Sequence, residues 1–114
     1  MPDHDCLFCR IVAGEIPAAI IARNDHALAF RDISPKAPVH VLVIPTRHIT
    51  SLSTAADATE LGHLALLAAE VARQEGVADS GYRVVANTGE DGGQTVHHLH
   101  LHVLGGRTMT WPPG

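Results

Sequence analysis

The chain is poor in aromatic residues: its 114 residues include two Phe, one Tyr and one Trp. A hydrophobic core must therefore be built from Ala, Val, Leu and Ile, which is feasible because 46% of the residues are hydrophobic. Basic residues are also few, eight against twelve acidic ones, for a net charge of −4. Binding DNA or RNA through the phosphate backbone needs a basic face, so no nucleic-acid partner is expected. No apolar run approaches the roughly 20 residues that span a bilayer, so no membrane partner is expected. The stretch Met1-Pro2-Asp3-His4-Asp5 is acidic and polar, unlike a signal peptide. These absences point to a cytoplasmic protein with a single domain over residues 1–114. Cys6 and Cys9 lie only three positions apart, a poor spacing for a structural disulfide. In a reducing compartment such a pair points instead to metal or redox chemistry.

What the sequence has in excess is histidine, nine in all. In Val96-His97-His98-Leu99-His100-Leu101-His102-Val103-Leu104 imidazoles alternate with apolar residues, which predicts a half-buried strand. Alternation puts His98, His100 and His102 on one face and His97, Leu99, Leu101 and Val103 on the other. A single ion held by all three histidines fits badly. Alternate residues lie about 6.6–7 Å apart, so His98 and His102 would be about 13 Å apart, whereas zinc holds nitrogen at about 2.0–2.1 Å. Two neighbours can share an ion; three cannot easily.

Phosphate chemistry fits the pattern better. With a reference pKa of about 6.5, imidazole is a nucleophile when neutral and an anion binder when charged. At i and i+2, one ring can attack phosphorus while the other donates to a phosphate oxygen or the leaving group. The glycine-rich segment from Thr88 to Gln94 offers backbone N–H groups for the same phosphate, and it equally fits an ordinary hairpin turn.

Elsewhere, Cys6 to Ala13 predicts a short helix stopped near Gly14, and Ile16-Pro17 begins an extended stretch. Ala19 to Arg23 and Ala27 to Phe30 predict a hairpin around Asn24-Asp25-His26. Asp32 to Pro38 is a proline-enforced loop. Val39 to Ile44 reads as a central strand, apolar on both faces and ended by Pro45. A long helix is expected over about Thr54 to Glu75. Leu61, Leu64, Ala65, Ala68, Val71 and Ala72 form its stripe, Thr54 and Asp57 resemble a capping box, and Gly76 is the stop. Tyr82 to Asn87 predicts a further strand. The order α-β-β-β-α-β-β with short connections predicts an α+β domain with an antiparallel sheet of about five strands, one long helix and one short.

His98-Leu99-His100-Leu101-His102-Val103-Leu104 matches the histidine-triad (HIT) signature at every position. The chain also resembles that family at Phe30 to Pro35, Val43-Ile44-Pro45, Gly92 to Thr95 and Gly105-Gly106-Arg107. Its ending, Trp111-Pro112-Pro113-Gly114, resembles the Hint branch of histidine-triad nucleotide-binding proteins. The resemblance implies a HIT fold whose sheets join in a homodimer. It implies binding of purine nucleoside monophosphates and hydrolysis of P–N bonds in their phosphoramidates, including aminoacyl adenylates, with no cofactor needed for catalysis. Carried over, it makes His100 the nucleophile that forms a nucleotidyl-histidine, His102 the contact to phosphate or leaving group, and His40 the accessory histidine. Asp32 binds the ribose hydroxyls, and Asn87, Gln94 and Thr95 border the phosphate. Leu7, Phe8, Ile11, Ile33 and Leu42 wall the purine pocket, and Trp111 completes a leaving-group pocket or packs across a dimer. His97 stands where Hint proteins commonly have tyrosine and is assigned no role. Several bacterial-type HIT proteins hold a structural zinc, which here implies Cys6, Cys9, His48 and His98 as ligands. Two reduced buried cysteines and a redox pair are the alternatives. The competing functions are a HIT hydrolase or phosphorylase of dinucleoside polyphosphates, or a nucleotide-binding or partner-binding module. Intact His100 and His102 favour an enzyme.

Overall fold

The computed structural model describes residues 5–114, so the reading of Met1-Pro2-Asp3-His4 falls outside it. Its elements are α1 (Leu7–Val12), β1 (Ile20–Arg23), β2 (Ala27–Arg31), β3 (Val39–Pro45), a 3-10 turn (Leu52–Thr54), α2 (Ala58–Gln74), β4 (Tyr82–Val85) and β5 (Leu101–Gly105). The five strands form one antiparallel sheet in the order β1-β2-β3-β5-β4, the α+β architecture expected. Among the described residues no helix is long and apolar enough to cross a membrane.

The pleat of β3 divides the core. Val41 and Val43 face α2, where they meet Ala27, Ala29, Leu64, Leu67, Val71, Leu99 and Val103. Leu42 and Ile44 face the other way, towards Phe8, Cys9 and Ile11 of α1 and Leu28 and Phe30 of β2. Side chains alternate along a strand, so covering both faces requires the continuous apolar run that β3 carries.

Several expectations change. The long helix starts at Ala58 rather than Thr54, because Asp57 is its cap: the carboxylate accepts the N–H groups of Thr59 at 2.8 Å and Glu60 at 3.3 Å. Thr54 instead closes a capping box with Ser51 around the 3-10 turn, which the sequence reading missed. On α2, Leu67 is fully buried and Ala65 is exposed. At 3.6 residues per turn, Ala65 sits about 100° around from Leu64, off the arc that touches the sheet. Gly76, with φ +77°, stops the helix as expected.

The histidine segment is not a strand from Val96. Only Leu101–Gly105 is paired, and β4 likewise ends at Val85 rather than Asn87. Continued two residues past Val43↔Leu101, the register would set Pro45 opposite Leu99. Proline has no N–H to give, its carbonyl is taken by His98 Nε2 at 2.9 Å, and the Leu99 N–H goes instead to Ile49 O at 2.6 Å. Residues 96–100 therefore leave the ladder. Even so, Leu99 and Val103 pack under α2 while His98 and His100 contact Phe8 on the opposite face, as alternation predicted.

Candidate active site

Two groups of side chains meet on the α1 face of the sheet. The first lies at the start of α1, where Cys6 is the N-cap and its sulfur accepts the Cys9 N–H at 3.4 Å. Cys6 Sγ is 3.2 Å from His98 Nδ1, and Cys9 Sγ is 3.2 Å from His48 Nδ1 and 3.5 Å from His98 Nδ1. All four donor atoms lie within 4.8 Å of one another. A carbonyl oxygen can only accept, so His98 Nε2 carries the proton towards Pro45 O, and the Nδ1 lone pair faces the sulfurs. Burial, more than any neighbour, pushes His98 down to about 4, which keeps it neutral. Two thiols and two imidazoles, one with its tautomer fixed by a carbonyl, are a donor set suited to a closed tetrahedral ion.

The second group holds the remaining two triad histidines. His100 Nδ1 lies 2.7 Å from the His98 carbonyl oxygen, so it donates there and leaves Nε2 as the ring's lone pair. No buried side-chain nitrogen or oxygen among the described residues lacks a hydrogen-bond partner. Nε2 of His100 has no such bond and is therefore reachable by solvent, although the residue is only 6% exposed.

His102 has the opposite arrangement. The Lys36 N–H donates to His40 Nδ1 at 2.9 Å, so the proton of neutral His40 is on Nε2. That atom lies 2.9 Å from His102 Nδ1 and 3.4 Å from Asp32 Oδ2. His102 Nδ1 accepts, and its own proton is on Nε2. Burial lowers His102 to about 4, with His100 and His40 adding to the shift and Asp32 opposing it. Burial also lowers His40, against the pull of Asp32.

Asp32, His40 and His102 also place donor atoms within 4.8 Å of one another. They do not fit a metal. With Nδ1 committed to a backbone N–H, His40 could offer Nε2 to an ion only as an imidazolate.

A cavity of about 290 Å³ opens between α1, the loop after β2 and the histidine segment. It brings together Leu7, Phe8, Ile11, Asp32, Ile33, Leu42, Thr95, His100 and His102, nine of the residues that the family resemblance nominated. Phe8 stands edge-on to Phe30, His98 and His100, with centroids 5.5, 5.9 and 5.3 Å apart. Ile33, 99% exposed, forms the rim. Ile16, Pro17, Ala18, Phe30, Arg31 and Val96 complete the lining. The sequence reading assigned none of these to the pocket, although Phe30 and Arg31 lie in its family motif and Ile16-Pro17 in its extended stretch.

Asn87, Gln94 and Trp111 are not in the lining. Asn87 donates to Gly92 O at 2.7 Å, and Gln94 donates to Thr50 O at 2.8 Å and Val96 O at 3.1 Å. The N–H groups of Gly89, Gly93 and Gln94 are bonded within their own loop, so those three are not free for a phosphate. Trp111 is 81% exposed and lies against Arg83, 6.0 Å from the ring centroid to the guanidinium carbon. His97 is exposed and is not in the cavity lining; it shares a neighbouring surface pocket with Cys6, Leu7, Thr95 and Val96.

Comparison with known proteins agrees with this fold. The family model of the HIT domain matches residues 13–109. An uncharacterised HIT-like protein of Synechococcus elongatus is 54% identical over 113 residues, covering 97% of this chain and 98% of its own. The crystal structure of a HIT family hydrolase from Legionella pneumophila superposes with TM-score 0.92 at 49% identity, covering 96% of this chain and 99% of that one. A histidine triad nucleotide-binding protein from Candida albicans superposes with TM-score 0.81 at 30% identity, over 94% of this chain and 82% of that one. In sequence and in fold, this chain belongs to the HIT family.

Proposed function

We propose that the chain hydrolyses the P–N bond of purine nucleoside phosphoramidates through a nucleotidyl-histidine formed on His100. One observation carries the reading. His100 and His102, with rings 5.0 Å apart in one cavity, hold opposite tautomers, a bare Nε2 beside an Nε2–H. The Nε2 lone pair of His100 forms a bond to the α-phosphorus as the substrate's P–N bond breaks. His102 donates a hydrogen bond to a phosphate oxygen or the departing nitrogen without itself carrying charge. The departing nitrogen takes a proton from solvent and leaves as an amine, and that proton is returned to solvent when water attacks in the second step. Water then attacks phosphorus, restoring His100 and releasing the nucleoside monophosphate. Over both steps the water supplies the phosphate's new hydroxyl and the amine's proton. Asp32 at the cavity wall suits ribose hydroxyls, and the walls from Leu7, Phe8, Ile11 and Leu42 suit a flat purine. The hydrolase and nucleotide-binding relatives support the same reading.

Cys6, Cys9, His48 and His98 would hold zinc, in a structural role with no position open to substrate. The same reading sets a second copy against the free edge of β4, where Tyr82 and Val84 are 38% and 43% exposed, and places the protein in the cytoplasm.

The test is mass spectrometry of protein quenched during turnover of an adenosine 5′-phosphoramidate. An added adenylyl mass on the peptide containing His100, lost in His100→Ala, is expected. Turnover without that adduct overturns the reading.

A further inference from the structure

A groove of about 500 Å³ lined by residues 80–83 and 106–109 holds none of the histidines, but it holds Arg107. We propose that Arg107 is a positioning residue for the His40–His102 pair, acting through the backbone of Lys36 and never touching substrate. The inference rests on the functional reading above for its kinetic part and on geometry for the rest.

Arg107 Nη2 donates to the Lys36 carbonyl oxygen at 3.1 Å, and Nη1 donates to Thr108 O at 3.4 Å. Among the described residues Arg107 has no carboxylate within ion-pair distance. Its charge is thus spent on carbonyls, one of them on a loop 71 positions away in sequence. The preceding residue seats the same loop. Gly106 has φ +88°, and a Cβ there would stand 2.8 Å from Pro38 Cβ, so only glycine allows this approach. The two residues just after β5 therefore grip the 32–38 loop, one by close packing and one by a planar fork whose direction is fixed.

Lys36 is where the grip meets the chemistry. Its carbonyl receives Arg107, and its N–H donates to His40 Nδ1 at 2.9 Å. His40 Nε2 faces His102 Nδ1 at 2.9 Å. If the Lys36 backbone turns, His40 loses the donor that selects its tautomer, and His102 is no longer required to accept on Nδ1. The Nε2–H that His102 presents then becomes one of two states instead of the only one. The side chain of Lys36 does not replace this restraint, because its Nζ bonds Ser34 O within the same loop.

Long-range ¹H–¹⁵N correlation of the imidazole nitrogens, recorded without substrate, reads the tautomers directly. In the unaltered protein His40 and His102 should both be protonated on Nε2. In Arg107→Ala both should move towards mixed tautomers, with Arg107→Lys intermediate. Arg83→Ala is the control: that guanidinium lines the same groove but bonds Thr110 O, and it should leave both rings unchanged. For phosphoramidate turnover, Arg107→Ala should lower kcat about 10-fold and leave KM within about twofold, the pattern of a lost transition-state contact. Unchanged tautomers in Arg107→Ala, or an equal change in Arg83→Ala, overturn the proposal. If Arg107→Ala does not fold, Arg107→Lys carries the test, and rings identical to the unaltered protein overturn it. Absence of turnover in the unaltered protein removes the phosphoramidase reading while the tautomer measurement still decides the role of Arg107.

Discussion

His98 donates from Nε2 to the backbone carbonyl of Pro45, 2.9 Å away, and this one bond sets two features. It turns the other nitrogen, unprotonated, towards Cys6 and Cys9. It also occupies the carbonyl that a longer β5 would have used, so the ladder ends and the His98 carbonyl is left to orient His100.

Protein purified without chelator should therefore carry about one zinc per chain, and Cys9→Ser should lose it. Because binding to the folded state alone stabilises it, chelation should lower Tm, and at a zinc excess of about 100-fold over Kd the stabilisation is about 2.7 kcal/mol. Metal analysis and thermal melts check this; metal-free protein with two titratable thiols refutes it.

His40→Ala should reduce phosphoramidate turnover by about 10²-fold, the low end for loss of a group that prepares a proton donor. Binding of adenosine monophosphate should change little, because His40 is not part of the cavity lining. Single-turnover kinetics and calorimetric titration separate the two, and a matched loss of both would make His40 a binding residue.

Thermal stability should fall as the pH drops from about 6.5 to about 4. His102 titrates near 4 in the fold, chiefly through burial, and near 6.5 when unfolded. Across that window the unfolded chain binds a proton that the folded chain refuses, so acid favours unfolding; above the window the contribution is constant. His40 is shifted in the same direction. Melts of His102→Gln should fall less steeply with acid than those of the unaltered protein, and parallel curves would dismiss this cause.

Phe8→Ala should cost about 3–5 kcal/mol, the usual range for removing a buried aromatic. Phe8 is 5% exposed and touches both His98 and His100, so turnover should fall with stability. Phe8→Leu, which keeps most of the volume, should cost much less. Chemical denaturation gives both values, and equal costs would mean that the ring is not packed as described.

The elements with long or simple patterns were legible. β3 announced burial on both faces, α2 its stripe, and Gly76 its end. The limit of β5 was not legible, because it depends on Pro45 in a distant strand and not on the histidine run itself. Nor could spacing separate Thr54 from Asp57 as the cap, since both residue types accept backbone N–H groups. For the site, alternation correctly placed His98, His100 and His102 on one face. The cavity walls at Leu7, Ile11 and Ile33 came only from family resemblance, because an isolated apolar residue looks the same in a core as in a pocket. The tautomers are set by Lys36 and by two carbonyls, and backbone atoms leave no mark in a sequence.

Because β5 begins at Leu101, His102 stands on a strand and His100 on the loop before it. His102 is paired into the sheet, whereas His100 sits in a loop segment tied down by Leu99 N–H on Ile49 O and by the His98 ring. The 5.0 Å between the two rings is thus a property of a junction, not of a strand's repeat. Slackening the loop could part the two rings while every strand stayed paired, and activity would vanish from a protein that still looks folded. Amide exchange at Leu99, set against exchange at Val103, would register that uncoupling before any melting curve did.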